Sequence, residues 1–127
     1  MALDARRRED AIRAFAVHPG SILGPLARHL SDAEIDAFGA RNANGSPVIA
    51  PDRDMKTPSQ GAATSIRCPT SPMLDGMGGV YCVNSNVASS LPEGAMSQPG
   101  VVPWAIDPET AERLWATSIR MTGTDLE

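Results

Sequence analysis

The sequence predicts an α/β chain carrying part of a doubly wound parallel sheet, and three observations predict it. Residues 12–18, Ile12-Arg13-Ala14-Phe15-Ala16-Val17-His18, form a short run whose apolar residues follow one another instead of alternating. That pattern fits a parallel strand covered on both faces. Val80-Tyr81-Cys82-Val83 is a second run of strand length, β-branched and aromatic. Between them lies a long stretch with two helix starts, the crossover that a parallel pair requires.

Taken in order, residues 2–10 read as the last turns of a helix, with Ala2, Leu3 and Ala5 beside charged positions. The first strand ends at His18-Pro19-Gly20-Ser21, which is loop chemistry. Residues 24–30 suggest a short helical turn. Ser31 with Glu34 three residues on makes a capping box for a helix over about 32–39, with Ile35 and Phe38 as its buried side. Residues 40–56 carry Asn-Gly, two prolines and mixed charge, and read as loop. Thr57-Pro58-Ser59-Gln60 opens a helix to about Arg67: Thr57 caps, Pro58 suits the first helical position and Gln60 reaches back. Small residues Gly61, Ala62, Ala63 and Ser65 would let that helix approach a sheet closely. Gly78-Gly79 leads into the second strand. Residues 85–103 form a Ser/Pro/Gly-rich linker, and Asp107-Pro108-Glu109 caps a final helix with Ala111, Leu114, Trp115 and Ser118 at helical spacing. There is no internal repeat.

Composition narrows the function classes. The chain has 127 residues, is 42% hydrophobic and 4% aromatic, and carries eleven Gly and eleven Pro, so much of it is loop around a lean core. Net charge is -4, and the one basic cluster, Arg6-Arg7-Arg8, is followed at once by Glu9-Asp10. That is a solvated helix face and not the basic stripe of a nucleic-acid binder. No stretch approaches the roughly twenty apolar residues that span a membrane, and no apolar signal region precedes the first strand. Cys68 and Cys82 lack Cys-x-x-Cys spacing and read as reduced thiols of a cytoplasmic protein. Asn44-Gly45-Ser46 is followed by Pro47 and reads as a turn.

Two strands are not a parallel sheet. Strand 12–18 has at most one neighbour in this chain, leaving an apolar edge open to pairing. Either the other strands come from another chain, a second copy included, or this polypeptide is a piece of a longer one.

Taken together, His18-Pro19-Gly20-Ser21-Ile22, then Thr57-Pro58-Ser59-Gln60-Gly61-Ala62-Ala63, then Gly78-Gly79-Val80-Tyr81-Cys82 resembles the short-chain dehydrogenase/reductase family. The similarity covers roughly residues 3–84 and is nearest the retinol-dehydrogenase-like and protochlorophyllide-reductase-like branch. The tail from Trp104 to Trp115 is also similar to extensions in that branch. The resemblance implies that residues 1–84 are the C-terminal part of a Rossmann-type oxidoreductase domain with a substrate lid at about 23–55. Residues 85–127 would be a linker and helical extension. It implies NAD or NADP as cofactor and a small-molecule alcohol or ketone as substrate. Pro19 and Gly20 would shape the nicotinamide pocket, and the backbone at Ile22 would bond the carboxamide. Where the family often has a cofactor-holding threonine, this chain has Gly24.

The family's glycine-rich phosphate turn follows a strand and opens a helix. Here Gly76, Gly78 and Gly79 precede a strand, the wrong context for phosphate. The family's proton-transfer pair is Tyr-x-x-x-Lys on one helix. The only tyrosine here is Tyr81 and the only lysine is Lys56, at unrelated positions. No catalytic residue is therefore assigned, and the expectation is a C-terminal portion of an oxidoreductase that is inactive alone. A non-enzymatic interaction or dimerisation module is the alternative, and an inert remnant a third.

Other chemistries find less support. No Gly-x-Ser-x-Gly elbow accompanies His18 or His29. His18 at a strand end reads as a partner of loop carbonyls, and His29 beside the Ser31 cap as surface. Asp32, Glu34 and Asp36 suit charge balance at a helix start better than a metal. Trp104 and Trp115 read as anchors that pack the tail.

Overall fold

A computed structural model of the chain describes residues 12–92, 94–95 and 100–124. The helix expected over residues 2–10 lies outside the described residues. Strand β1 is Phe15–His18, three residues shorter than the apolar run. It pairs in parallel with β2, Val80–Val83, in the register Phe15 with Val80 through His18 with Val83. The chain is thus α/β around a small sheet, as expected.

A third strand, β3 at Asn86–Val87, was hidden in the expected linker. It runs antiparallel to β2 and gives the sheet order β1-β2-β3. The hairpin turns on Asn84 and Ser85 at φ 52 and 55, and Asn tolerates this left-handed backbone better than most residues. Farther along the same stretch, Leu91 and Val101 are buried against each other's backbone through the Leu91 N–H to Val101 carbonyl bond at 2.8 Å. Residues 86–91 and Val101 are therefore held by backbone pairing and are not free linker.

Helix α1 spans Asp32–Ala37 behind a five-residue 3-10 turn at Pro25–His29. Its capping box forms as read: Ser31 Oγ accepts the Glu34 N–H, and Glu34 accepts the Ser31 N–H at 2.7 Å. The Ser31 hydroxyl and amide together hold the Glu34 carboxyl below its ordinary range. Arg41 clasps Asp32 and Asp36, so these acids serve the helix and its return loop. The expected buried side is corrected: Ile35 is half-buried and Phe38 is 69% exposed. A six-residue helix with an open cleft beneath it has no layer to bury them in.

Helix α2, Pro58–Thr70, joins the strands. Thr57 and Gln60 exchange the capping-box bonds, with the Thr57 N–H donating to Gln60 Oε1 at 2.9 Å. The helix passes its expected end near Arg67; Pro69 removes one donor, and the Ser71 N–H closes the last turn on the Arg67 carbonyl. Its packed face is Gly61, Thr64 and Cys68, three and four residues apart, while Ala62, Ala63 and Ser65 are exposed. Close approach is real but rests on one glycine: a Cβ at Gly61 would stand 2.5 Å from Ile22 Cδ1 and 3.2 Å from the Pro19 carbonyl. Thr64 Oγ1 accepts the Ser85 N–H at 3.0 Å and ties α2 to the hairpin. The remaining core is Cys68, Leu74, Cys82 and Val83.

β1 is not covered on both faces among the described residues, since Val17 is 39% exposed and Ala16 is exposed as well. Helix α3, Pro108–Thr122, starts on Asp107 and ends on Gly123 at φ 66, but it has no buried residue. Trp104 is 68% exposed and Trp115 only half-buried, so the expectation of tryptophan anchors is corrected too. No helix among the described residues is long and apolar enough to cross a membrane.

Candidate functional site

The loop leaving β1 is built by two constraints. Gly20 sits at φ 90, a backbone that L side chains rarely adopt. Ser21 then pairs with the segment returning from the lid: its N–H donates to the Asp54 carbonyl and its carbonyl accepts the Lys56 N–H, both at 2.9 Å. Loop 19–22 is thereby clamped between residues 54–56 on one side and Gly61 of α2 on the other. Pro19, Gly20 and Ile22 lie together in it. Among the described residues the Ile22 backbone makes no hydrogen bond, leaving an amide and a carbonyl available to a ligand.

Behind that loop stands a polar cluster that sequence reasoning missed. His18 Nε2 and Asp54 Oδ2 lie 2.7 Å apart. Asp54 Oδ1 forms an ion pair with Lys56 Nζ at 2.9 Å, and Lys56 Nζ donates to Asn84 Oδ1 at 2.6 Å. Lys56 is 6% exposed, and a cation is seldom so buried without partners. Its stem fills the space behind Gly20, where a Cβ would meet Lys56 Cδ at 2.6 Å. Burial is the largest influence on the Asp54 carboxyl and pushes it up. The hydrogen bonds and charges of Lys56 and His18 together outweigh it and hold the carboxyl below its ordinary value. His18 thus meets a carboxylate, not the loop carbonyls expected of it. One signal for this cluster was present: the chain's only lysine immediately precedes its strongest helix cap.

On the lid side, a cavity of about 240 Å³ opens beside Ile22. Leu23, Ala27, Leu30, Ile35, Phe38 and Met55 give it a mainly apolar wall, and Ser21 also lines it. The half-exposed lid residues therefore face a cleft. Cys68 and Cys82, far apart in sequence, meet between α2 and β2. Burial first, then the hydrogen bond with Cys68, pushes the Cys82 thiol up to about 11. Such a thiol is a poor nucleophile. Tyr81, on β2 opposite Ala16, has no lysine one helical turn away. Gly76 and Gly79 adopt positive φ ahead of β2, so the structure gives them the role of a strand entry.

Comparison with known proteins gives a consistent set of relatives. The chain is 42% identical over 106 residues to a probable oxidoreductase of Streptomyces lividans, covering 84% of this chain and 35% of that protein. It is 31% identical over 119 residues to the short-chain dehydrogenase/reductase prx1 of Penicillium roqueforti, covering 94% of this chain and 33% of the relative. Across its whole length it is 37% identical to the oxidoreductase calI of Penicillium decumbens, covering 37% of that protein. The chain therefore spans about a third of the length of the curated relatives it matches. No family model matches, and no solved structure matches significantly.

Proposed function

Because this chain is 31–42% identical to a short-chain dehydrogenase/reductase and to proteins named as oxidoreductases over about a third of their length, we propose that it belongs with them and supplies the nicotinamide-side loop and substrate cleft of an oxidoreductase acting on an alcohol or ketone. The observation that carries this reading is loop 19–22. It leaves a parallel strand, turns on Gly20 at φ 90, and offers at Ile22 a backbone unpaired among the described residues beside an apolar cavity.

The residues present fit the nicotinamide end of NAD or NADP. Ile22 offers its amide and carbonyl to the carboxamide, while Pro19 and Gly20 form the wall beside the ring. When bound, the cofactor supplies or accepts a hydride. The chain's own residues orient and desolvate: the Leu23, Leu30, Ile35 and Met55 wall excludes water from the reacting carbon and favours an apolar substrate. The described residues do not fit the pyrophosphate, since no glycine-rich turn among them leads directly from a strand into the N-terminus of an α-helix. They also lack a Tyr-x-x-x-Lys pair to move the substrate proton. On this reading residues 1–84 are the C-terminal part of the oxidoreductase domain, with the lid at about 23–55, and residues 85–127 its linker and helical extension. The chain needs the phosphate cradle and proton donor from further sequence or from a partner. Two free thiols suit a cytoplasmic setting.

Alone, the chain is expected to show no saturable quenching or enhancement of reduced-cofactor fluorescence at micromolar levels. The positive test is a chimera in which residues 12–92 replace the matching segment of the Streptomyces lividans relative. Cofactor-dependent reduction of a carbonyl substrate is expected. A folded chimera that binds the adenine end of the cofactor yet transfers no hydride would overturn the reading.

A second reading, pairing with another chain, is favoured by one observation: among the described residues β1 has a single strand neighbour, and it exposes Val17. A discrete dimer on sedimentation is its expected outcome, and a well-folded monomer would remove it.

A further inference from the structure

Resting on the assignment of loop 19–22 as the nicotinamide-side loop, we propose that Lys56 is a positioning residue for that loop. Its buried ammonium, anchored by Asp54 and Asn84, braces Gly20 from behind and makes the end of the lid, the cofactor-side loop and the β2–β3 turn move as one unit.

Four observations converge on Lys56. Its Nζ reaches two anchors from different parts of the chain, Asp54 at 2.9 Å from the lid exit and Asn84 at 2.6 Å from the hairpin turn. Its aliphatic stem occupies the volume that any side chain at residue 20 would need, with Cδ, Cε and Nζ all within 2.9 Å of a Cβ built there. Its own N–H is bonded to the Ser21 carbonyl, so stem and backbone act on adjacent residues of the same loop. Finally, its carboxylate partner holds His18, the last residue of β1, so the loop is gripped at its start as well. Asp54 itself stands at φ 63, a left-handed position that, glycine aside, Asn and Asp tolerate better than other residues.

The physical consequence is coupling. A loop hinged on glycine has little intrinsic stiffness, because Gly loses more conformational freedom on folding than any other residue. A buried charge with two fixed partners supplies the stiffness, since moving the ammonium away from Asp54 leaves both charges poorly solvated. Lid residues 23–55 end at the brace. A lid displacement that shifts Asp54 must therefore shift Lys56, and with it the wall at Gly20. Substrate in the cleft beside Ile22 and cofactor at Pro19–Gly20 would then report on each other through Lys56.

The test uses the full chain. Lys56 is the only lysine, so lysine-selective nitrogen-15 labelling reports a single side-chain ammonium. A slowly exchanging ammonium resonance is expected in the wild type, broadened beyond detection in Asp54→Asn. In Lys56→Met, which keeps an unbranched apolar stem and removes the charge, the Ser21 amide should exchange roughly tenfold faster while amides of β2 keep their protection. Should Lys56→Met fail to fold, Asn84→Gly keeps the turn conformation and removes one anchor, and a smaller acceleration at Ser21 alone is expected. A rapidly exchanging wild-type ammonium, or a Ser21 amide unchanged in both variants, overturns the brace. That failure is separable from failure of the loop assignment. An unchanged Ser21 amide leaves hydride transfer by the chimera intact, whereas an inactive chimera with the brace in place removes the role that Lys56 is proposed to serve.

Discussion

Helices α2 and α3 begin alike and end up in opposite circumstances. Both are capped by a side-chain oxygen, Thr57 or Asp107, both have proline at the first helical position, and they run 13 and 15 residues. α2 buries Gly61, Thr64 and Cys68, whereas no residue of α3 is fully buried. The difference extends to polar groups: Thr64 Oγ1 is used by the Ser85 N–H, while the buried Trp115 indole N–H has no partner among the described residues. Local chemistry starts a helix, but only a matched surface makes it part of the body. α2 has that surface because its stripe of small residues meets loop 19–22 and β2. On α3, by contrast, Leu114 at 67% exposed and Met121 at 81% meet solvent, and Trp115 and Ile119 are only half-buried.

The comparison can be broken most forcefully at the N-terminal end of α2. Asp54→Asn keeps a residue suited to the left-handed backbone but strands the Lys56 ammonium. Removing one member of a buried pair costs about 3–5 kcal/mol; the partial exposure of Asp54, 29% for its side chain, places the expected loss near the lower bound. Urea melts read it. Gly61→Val drives a branched side chain against Ile22 and the Pro19 carbonyl, and overpacking of that kind costs about 1–3 kcal/mol. It should also disturb loop 19–22, seen as shifted amide resonances there.

Cap removal sharpens the contrast, because the same change has different reach. Thr57→Ala and Asp107→Ala should each cost their own helix about 1 kcal/mol. Only the first is expected to lower the global melting midpoint; the second should appear as faster amide exchange confined to α3. Leu114→Ala is expected to shift stability by less than about 0.5 kcal/mol, as for a surface position.

Acid gives a further contrast. The folded Asp54 carboxyl lies below its ordinary value of 3.8. A depressed folded pKa stabilises above the unfolded value and loses that contribution as pH falls through the folded one. Protection of the Ser21 amide should therefore decline only below about pH 4. Asp54→Asn should abolish that acid limb.

Much of the outline was legible because its signals are local. Ser31/Glu34 and Thr57/Gln60 form capping boxes through side chains three residues apart, and Val80–Val83 is a strand by composition. Pro19-Gly20 announced the end of β1. What could not be read depends on distant partners. Lys56 looked like one loop charge among several, since nothing in sequence joins it to Asn84 or aims its stem at Gly20. Phe38 and the tryptophans looked like core because their type is usually buried, but burial needs a covering layer that no residue type guarantees. The Leu91–Val101 contact was obscured by the Ser/Pro/Gly composition between its partners. Cys68 and Cys82 meet only because α2 crosses β2.

The most direct measurement is a cofactor titration of the nitrogen-15-labelled chimera, followed at the backbone amides of residues 12–92. Shifts concentrated at Gly20, Ser21, Ile22 and Leu23, with weaker ones at Lys56, are the expected result. Shifts centred on Gly76–Val80 or on α3, with the amide of Ile22 unmoved, would contradict the assignment of this loop to the nicotinamide.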